Sequence, residues 1–510
     1  MIERTNAAPR VAMLVHNGVK NDARVIKEAT ALQQAGYAVE VHGISATAES
    51  VADQVPGSQI PLFLSPAPKP VRPPQVRTAV PRRRNTWRRN ISLAVRAAVL
   101  APILLLVIGG RWSGWGVVGD QSITPTGIGA CLLAGFLTIL LWFGRRKTDL
   151  FLFRSFDLER SVKPPAAREA SAPPASHHFQ QALLKSVAAR PAPAFHHFQQ
   201  ALLKSVAARP APDVFHLHDH VALSLASTLK QQYTAKLVWD AHEIYQELAG
   251  AELARSRINA EIIAANHTAI DAFITINESI AAYYREQYPA MPPATVVMNA
   301  TVAEALPDYD GRLHRAAGLP ETQKILLFQG GFARHRGIEA LIDAAPNFPP
   351  DWTLMLMGWG NIEAELRARV AAQPAREACA AVCFLPGVPH AELPLWSAGA
   401  SLGAIPYENT SLNHLYCTPN KLWEYPNAGV PVLASDLEEM GRFIREYGFG
   451  FLLPREFSAE DIVSLVTALT DDQLAIAREN CQRFIASNHW GRWEKRLLDV
   501  YAGVMPLPTV

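Results

Sequence analysis

The chain has 510 residues, of which 49% are hydrophobic and 18% charged, with a formal net charge of +2. That length exceeds one ordinary domain, and the apolar content excludes global disorder. The balanced charge excludes a general nucleic-acid binder. Five scattered cysteines with no completing His or Cys pair suit free thiols in a reducing compartment rather than a zinc set. The polar start and a first apolar run of only residues 11–15 are too short for a secretory signal.

In chain order, residues 11–45 read as strand, loop, helix, strand. The run at 11–15 suits a buried parallel strand. Asn21 or Asp22 caps a helix with Val25, Ile26, Ala29 and Leu32 on one face, and Gly36 ends it. So short a connection predicts a right-handed crossover in a parallel sheet.

Residues 46–212 break this rhythm. Two apolar runs, about 91–110 and 127–144, approach the ~20 residues needed to span a bilayer. Arg82, Arg83, Arg84, Arg88 and Arg89 precede the first; Arg145, Arg146 and Lys147 follow the second. Basic flanks on both outer ends predict a membrane hairpin with its ends on the cytoplasmic face. The alternatives are a re-entrant hairpin, since Arg96 and Pro102 interrupt the first run, or a pair of buried helices. Residues 177–193 then recur unchanged as 196–212. Two perfect copies indicate a tandem duplication rather than a solenoid. The second copy is expected to be a helix feeding the next strand.

From 213 the alternation of apolar runs and helices resumes, and a second block with its own rhythm starts at Lys324. The fold class is therefore α/β, with two doubly wound Rossmann-like domains. The expected boundaries are 1–303, 304–487 and a final amphipathic helix, 488–510, with Trp490, Trp493, Leu497 and Tyr501 on one face.

Polar residues cluster where ligands bind in such sheets, at the carboxyl ends of strands. The first loop holds Gly18. Two later strand ends read His218-Asp219 and Asp240-Ala241-His242-Glu243. In the second block, Gly330, Gly331, Arg334 and Arg336 follow a strand and open a helix, where backbone amides and guanidinium suit a diphosphate. Pro419, Asn420 and Lys421 start another helix, with Glu424 one turn inside. A carboxylate there can accept hydrogen bonds from ribose hydroxyls.

On these stretches (11–45, 213–300 and 324–503) the chain resembles the family-4 retaining glycosyltransferases, whose fold is GT-B. The most specific similarity is Lys421-Leu422-Trp423-Glu424-Tyr425 with the run from Ala428 to Asp436. The resemblance implies transfer of a sugar from a UDP- or GDP-sugar to a hydroxyl of a lipid-linked or polysaccharide acceptor, with retention. It implies an acceptor-binding first domain and no need of a metal or other cofactor; the arginine flanks of the apolar runs place that domain on the cytoplasmic membrane face, against anionic lipid. His218 matches the family's active-site histidine. Glu424 matches the ribose-binding glutamate, Arg336 the diphosphate cation, and Gly387 the turn near the base. Gly18, Arg334, Pro419, Asn420 and Lys421 complete the expected donor site. Asp22, Arg24, Asp219, His242 and Glu243 are expected in the cleft. Two positions depart from the pattern: Tyr416 replaces the first glutamate, and Gly331 replaces an arginine, whose charge Arg334 is expected to supply. A nucleotide-sugar epimerase or a non-catalytic scaffold on the same fold are the rival readings.

Overall fold

A computed structural model describes residues 8–20, 22–45, 49–66, 193–306, 308–373 and 381–507. All of these belong to one compact unit, Met1–Val71 with Pro191–Val510. The membrane hairpin expected at 91–144 and the first repeat copy, 177–193 apart from its last residue, lie outside the described residues. No helix among the described residues is long and apolar enough to cross a membrane.

Two sheets organise the unit. In chain order, the first contains β1 (Arg10–Leu14), β2 (Ala38–Ser45), β3 (Val51–Gln54), β4 (Pro61–Pro66), β5 (Val214–His218), β6 (Lys236–Ala241), β7 (Ala272–Thr275) and β8 (Ala294–Val296). Their spatial order is β3-β4-β2-β1-β5-β6-β7-β8. Every pairing is parallel except β3 with β4. The second sheet holds β9 (Lys324–Gly331), β10 (Trp352–Trp359), β11 (Val382–Pro386), β12 (Leu402–Ile405), β13 (Val432–Ser435) and β14 (Gly450–Leu453). These run β11-β10-β9-β12-β13-β14 and are all parallel.

The central strands are apolar because helices cover both faces. Val11, Ala12, Met13, Leu14 and Val15 have no exposed surface. Complete burial of a side chain such as Leu14 stabilises the fold by about 1.5–3 kcal/mol. Asp22 caps the helix Ala23–Gln34 by accepting from the Val25 amide, and Gly36 follows at φ +105°.

The first domain reaches further into the expected insertion than the sequence rhythm indicates. Strands β3 and β4 extend the sheet beyond β2, with Leu62 and Leu64 buried. The helix Pro193–Ala207, formed largely by the second repeat copy, buries Phe198, Leu202 and Val206. Ser205 Oγ lies 2.8 Å from His42 Nδ1 on β2. The helix packs as part of the first lobe because its apolar face joins Ala12, Leu14, Phe215 and Leu217 in one core on the face of the sheet.

The final helix, Trp490–Val504, crosses back to the first lobe and buries Trp490, Trp493, Leu497 and Tyr501. Tyr501 Oη lies 2.9 Å from His216 Nδ1. The Tyr37 hydroxyl donates to the Met505 carbonyl at 3.0 Å.

Candidate active site

In each sheet the chain reverses its winding direction once near the centre. The first switch lies between β1 and β5, the second between β9 and β12. Loops diverge there and leave a crevice at the strand ends. The two crevices face one another across a cleft of about 950 Å³.

The first-lobe wall rests on a buried ionic network. Arg24 donates from Nε and Nη2 to the two oxygens of Asp240 at 2.7 and 2.8 Å. Its Nη1 donates to the Val297 carbonyl at 2.8 Å, and Nε lies 3.0 Å from Glu28 Oε1. The side chains of Arg24, Glu28 and Asp240 are 2% exposed or less, so each charge depends on its neighbours. Burial, only partly offset by Arg24, raises the Glu28 carboxyl toward neutral pH. Asp240 is instead held well below the usual carboxylate range, because Arg24 and His242 outweigh its burial.

His242 stands above this network. Its Nε2 lies 2.9 Å from Asp240 Oδ2, and Nδ1 lies 3.3 Å from Asp219 Oδ1. Burial works against its charge, but Asp240 and then Asp219 outweigh it, raising the pKa to about 9. His242 therefore presents a cation to the cleft at neutral pH. Asp219 is fixed by a 2.5 Å hydrogen bond from the Tyr245 hydroxyl and adopts φ +65°. Glu243 borders the same space and is exposed to it.

His218 does not reach the cleft, contrary to expectation. It still lies within β5, paired in register with Asp240, and is fully buried. Its ring stacks on His216 with centroids 4.3 Å apart. The strand ends at His218, as the sequence places it, but the ring turns into the buried network beneath the cleft, and the half-buried His242 lines the cleft instead. Ligand atoms of Glu28, His216, His218 and Asp240 lie within 4.8 Å of one another, a spacing compatible with a metal ion. The Arg24 guanidinium, bound to both Asp240 oxygens, already supplies positive charge there, so the set fits a dication poorly.

Gly18 also departs from its expected role. It borders a separate cavity of about 640 Å³, lined mainly by the first lobe, with Asn17, Lys20, Asp22, Asn299 and, from the second lobe, Asn420. The loop turns toward β2, where the Ile44 amide donates to the Asn17 carbonyl at 2.9 Å. Asp22 accepts from Asn17 Nδ2 at 2.8 Å. Burial opposes the Asp22 charge, but His242 and Asn17 keep its pKa lowered.

The second lobe provides the opposite wall. Gly330, Arg336, Gly387, Pro419, Asn420, Lys421 and Glu424 all line the large cleft. Arg336 Nη1 donates to the Tyr407 hydroxyl at 2.9 Å. Lys421 is largely buried, and its Nζ would lie 3.0 Å from a Cβ placed on Gly330. Gly330, at φ +119°, therefore admits the ammonium beside the strand end. Glu424 accepts from Gln329 Nε2 at 3.0 Å, and its Oε1 lies 3.7 Å from His390 Nε2. Burial opposes its charge, but His390 and Lys421 keep its pKa lowered, leaving an ionised acceptor. Asn299 Nδ2 donates to Asn420 Oδ1 at 2.9 Å, joining the lobes beside this group.

Arg334 is not in this set. Its guanidinium lies 2.7 Å from Glu365 and 3.6 Å from Glu339, outside the cleft. The intervening His335 takes φ +64° and separates the directions of the two arginines. Lys421, rather than Arg334, is the second cation beside Arg336. Tyr416 turns its carbonyl to Asn277 Nδ2 at 2.7 Å. Trp359, His390, Gln329 and Asn299 are cleft residues that the sequence does not single out. The signal for Trp359 was its place between two glycines at the end of an apolar run.

Residues 311–488 match the family model of glycosyl transferases group 1. The chain is a glycosyltransferase. Among solved structures, it is similar to sucrose-phosphate synthase from Thermosynechococcus elongatus, at 14% identity and a TM-score of 0.62, covering 98% of this chain and 100% of that one. It is also similar to Anabaena HepE in complex with UDP and glucose, at 11% identity and a TM-score of 0.58, covering 97% and 100%. These likenesses show the shared two-lobed GT-B fold. A search of curated proteins gave no match. In the enzyme, the matched region contains the whole second sheet and the residues from Arg336 to Glu424 that line its side of the cleft.

Proposed function

We propose that the enzyme transfers a glycosyl group from a nucleoside-diphosphate sugar to a hydroxyl of a glycan or lipid-linked acceptor, with retention. The observation that carries this reading is the set Arg336, Lys421 and Glu424 at one switch point, facing the His242 cation across the cleft. Arg336 and Lys421 hold the two phosphates by charge-assisted hydrogen bonds. The ionised Glu424 accepts from the ribose hydroxyls. As the glycosidic bond to phosphate breaks, negative charge grows on the leaving diphosphate, and fixed cations stabilise it. No bound metal is required in this scheme. His242, being charged, donates a hydrogen bond to substrate and does not act as a base. Retention follows from the resemblance to family-4 enzymes.

A thermal-shift series with UDP, GDP and ADP, followed by nucleoside-diphosphate release with acceptor, tests this. One nucleotide should raise the unfolding temperature by mass action, and release should require acceptor. Binding without release would leave a scaffold, conversion of the donor without release an epimerase, and no binding would overturn the reading.

We also propose that residues 82–147 hold the enzyme on the cytoplasmic leaflet. Support comes from the two apolar runs and their arginine flanks, each arginine contributing about 1 kcal/mol near anionic headgroups. Replacing 82–147 with a short Gly/Ser linker should release the enzyme from membranes and slow transfer to lipid acceptors. Unchanged sedimentation and rate would overturn the proposal.

A further inference from the structure

Trp359 is 62% exposed, although it lies in the wall of the main cleft. Large aromatic rings are normally buried for the apolar area that they remove from water. Its mounting is rigid. The Phe332 amide donates to the Trp359 carbonyl at 2.7 Å, extending the β9–β10 pairing to its last residue. Glycines stand on both sides. A Cβ on Gly358 would lie 1.9 Å from the Gly330 carbonyl oxygen, and one on Gly360 would lie 2.0 Å from the Phe332 carbonyl oxygen. The backbone carrying this ring is therefore clamped against β9.

The ring itself is braced on one edge. A Cβ on Gly387 would lie 2.2 Å from both Cε3 and Cζ3 but 3.5 Å from Cδ2. These distances place Gly387 beside the Cε3–Cζ3 edge rather than over a face. The indole is thus held by its edge and leaves apolar surface open to the cleft.

Position identifies the occupant. Across the second sheet, β9 brings Gly330 beside Lys421, β10 brings Trp359, and β11 leads into Gly387. Glu424 and His390 bridge β9 to the loop after β11. A nucleoside diphosphate with phosphates at Lys421 and Arg336 and ribose at Glu424 carries its planar base outward, toward β10 and β11. We propose that Trp359 is the stacking platform for the donor's nucleobase, a role resting on the reading of this cleft as the donor site. Stacking needs only a flat π-surface, so affinity comes from the ring and base selection from the hydrogen-bonding edges around Gly387.

The test compares wild type, Trp359→Phe and Trp359→Ala by direct binding of UDP, GDP and ADP and by steady-state kinetics. For the nucleotide that wild type binds best, Trp359→Ala should weaken binding by at least about fivefold and raise donor KM in step. Trp359→Phe should keep most of the affinity, and acceptor KM should not change. Equal nucleotide affinity in wild type and Trp359→Ala overturns the platform while leaving the donor site intact. So does a change confined to acceptor KM, which would assign the ring to the acceptor sugar. If wild type binds none of the three nucleotides, the donor-site reading falls and the platform with it. The side chain is exposed, so unfolding temperatures of the variants should match wild type.

Discussion

Asp240→Asn is the sharpest test of the network under the cleft. The substitution keeps shape and removes one charge. In the native protein that carboxylate receives two bonds from Arg24 at 2.7 and 2.8 Å and one from His242 at 2.9 Å. Removing one partner of a buried ion pair leaves the other charge uncompensated, at a cost of about 3–5 kcal/mol. At roughly 2–4 °C per kcal/mol for a lobe of this size, the unfolding temperature should fall by about 6–20 °C. Glu28 modulates the loss. It lies 3.0 Å from Arg24, and its raised carboxyl ionises as pH rises through neutrality. Once ionised, it can take over part of the pairing, so the deficit should be larger at pH 6 than at pH 8. Scanning calorimetry of both proteins at the two pH values measures this, and Arg24→Met with Asp240→Asn completes a cycle that should recover part of the loss. A single variant melting within about 1 °C of wild type at both pH values would refute the reasoning, since Arg24 would then not depend on Asp240.

Four further outcomes are expected. Glu424→Gln and Arg336→Ala should each lower kcat/KM for donor by roughly 10- to 150-fold, from about 1.5–3 kcal/mol of lost charge-assisted bonding; steady-state kinetics decides. His242 has its pKa raised to about 9 in the folded state, against an ordinary value near 6.5. Its stabilisation is therefore complete below about pH 6.5 and lost as pH rises through about 9, and His242→Gln should flatten that part of the stability profile. Gly387→Ala places a methyl 2.2 Å from the Trp359 ring and should weaken nucleotide binding while changing unfolding temperature little, as calorimetric titration would show. Tyr501→Phe strips His216 Nδ1 of its partner and should cost about 1–3 kcal/mol in denaturant unfolding, because the site is fully buried.

The strands were largely legible, because a parallel strand covered on both faces is an apolar run bounded by turns, as at 11–15 and in β9. The sheet edges were not. Strand β3 is exposed along its whole length and only four residues long, with Asp53 and Gln54 beside Val51 and Ala52, so it carries no apolar run. Helix 193–207 could be read as helix from its repeat, but its packing against β2 and β4 depends on partners far away in sequence. That Arg336, Lys421 and Glu424 share one wall of the cleft was legible because they follow turns at helix starts. In the first lobe, alternation in Val214-Phe215-His216-Leu217-His218 puts both histidines on one face, yet nothing local says that the face is buried. That follows from Arg24 and Asp240, 216 positions apart, meeting beneath it. Arg334 failed for a similar reason: one residue at positive φ redirected a loop whose composition alone looked suitable.

The crossing of Trp490–Val504 onto the first lobe also bears on biosynthesis. Ribosomes add roughly 5–20 residues per second, and amino-terminal domains usually settle first. Here the hydroxyl that satisfies His216, and the aromatic residues that cover the helix beside it, emerge only after the entire second lobe has been made. The first lobe must therefore wait for tens of seconds with a polar gap and an uncovered apolar flank, in a state open to chaperone capture and proteolysis. Ribosome-bound chains stalled before Trp490 should be cut by protease in the first lobe faster than chains released at full length.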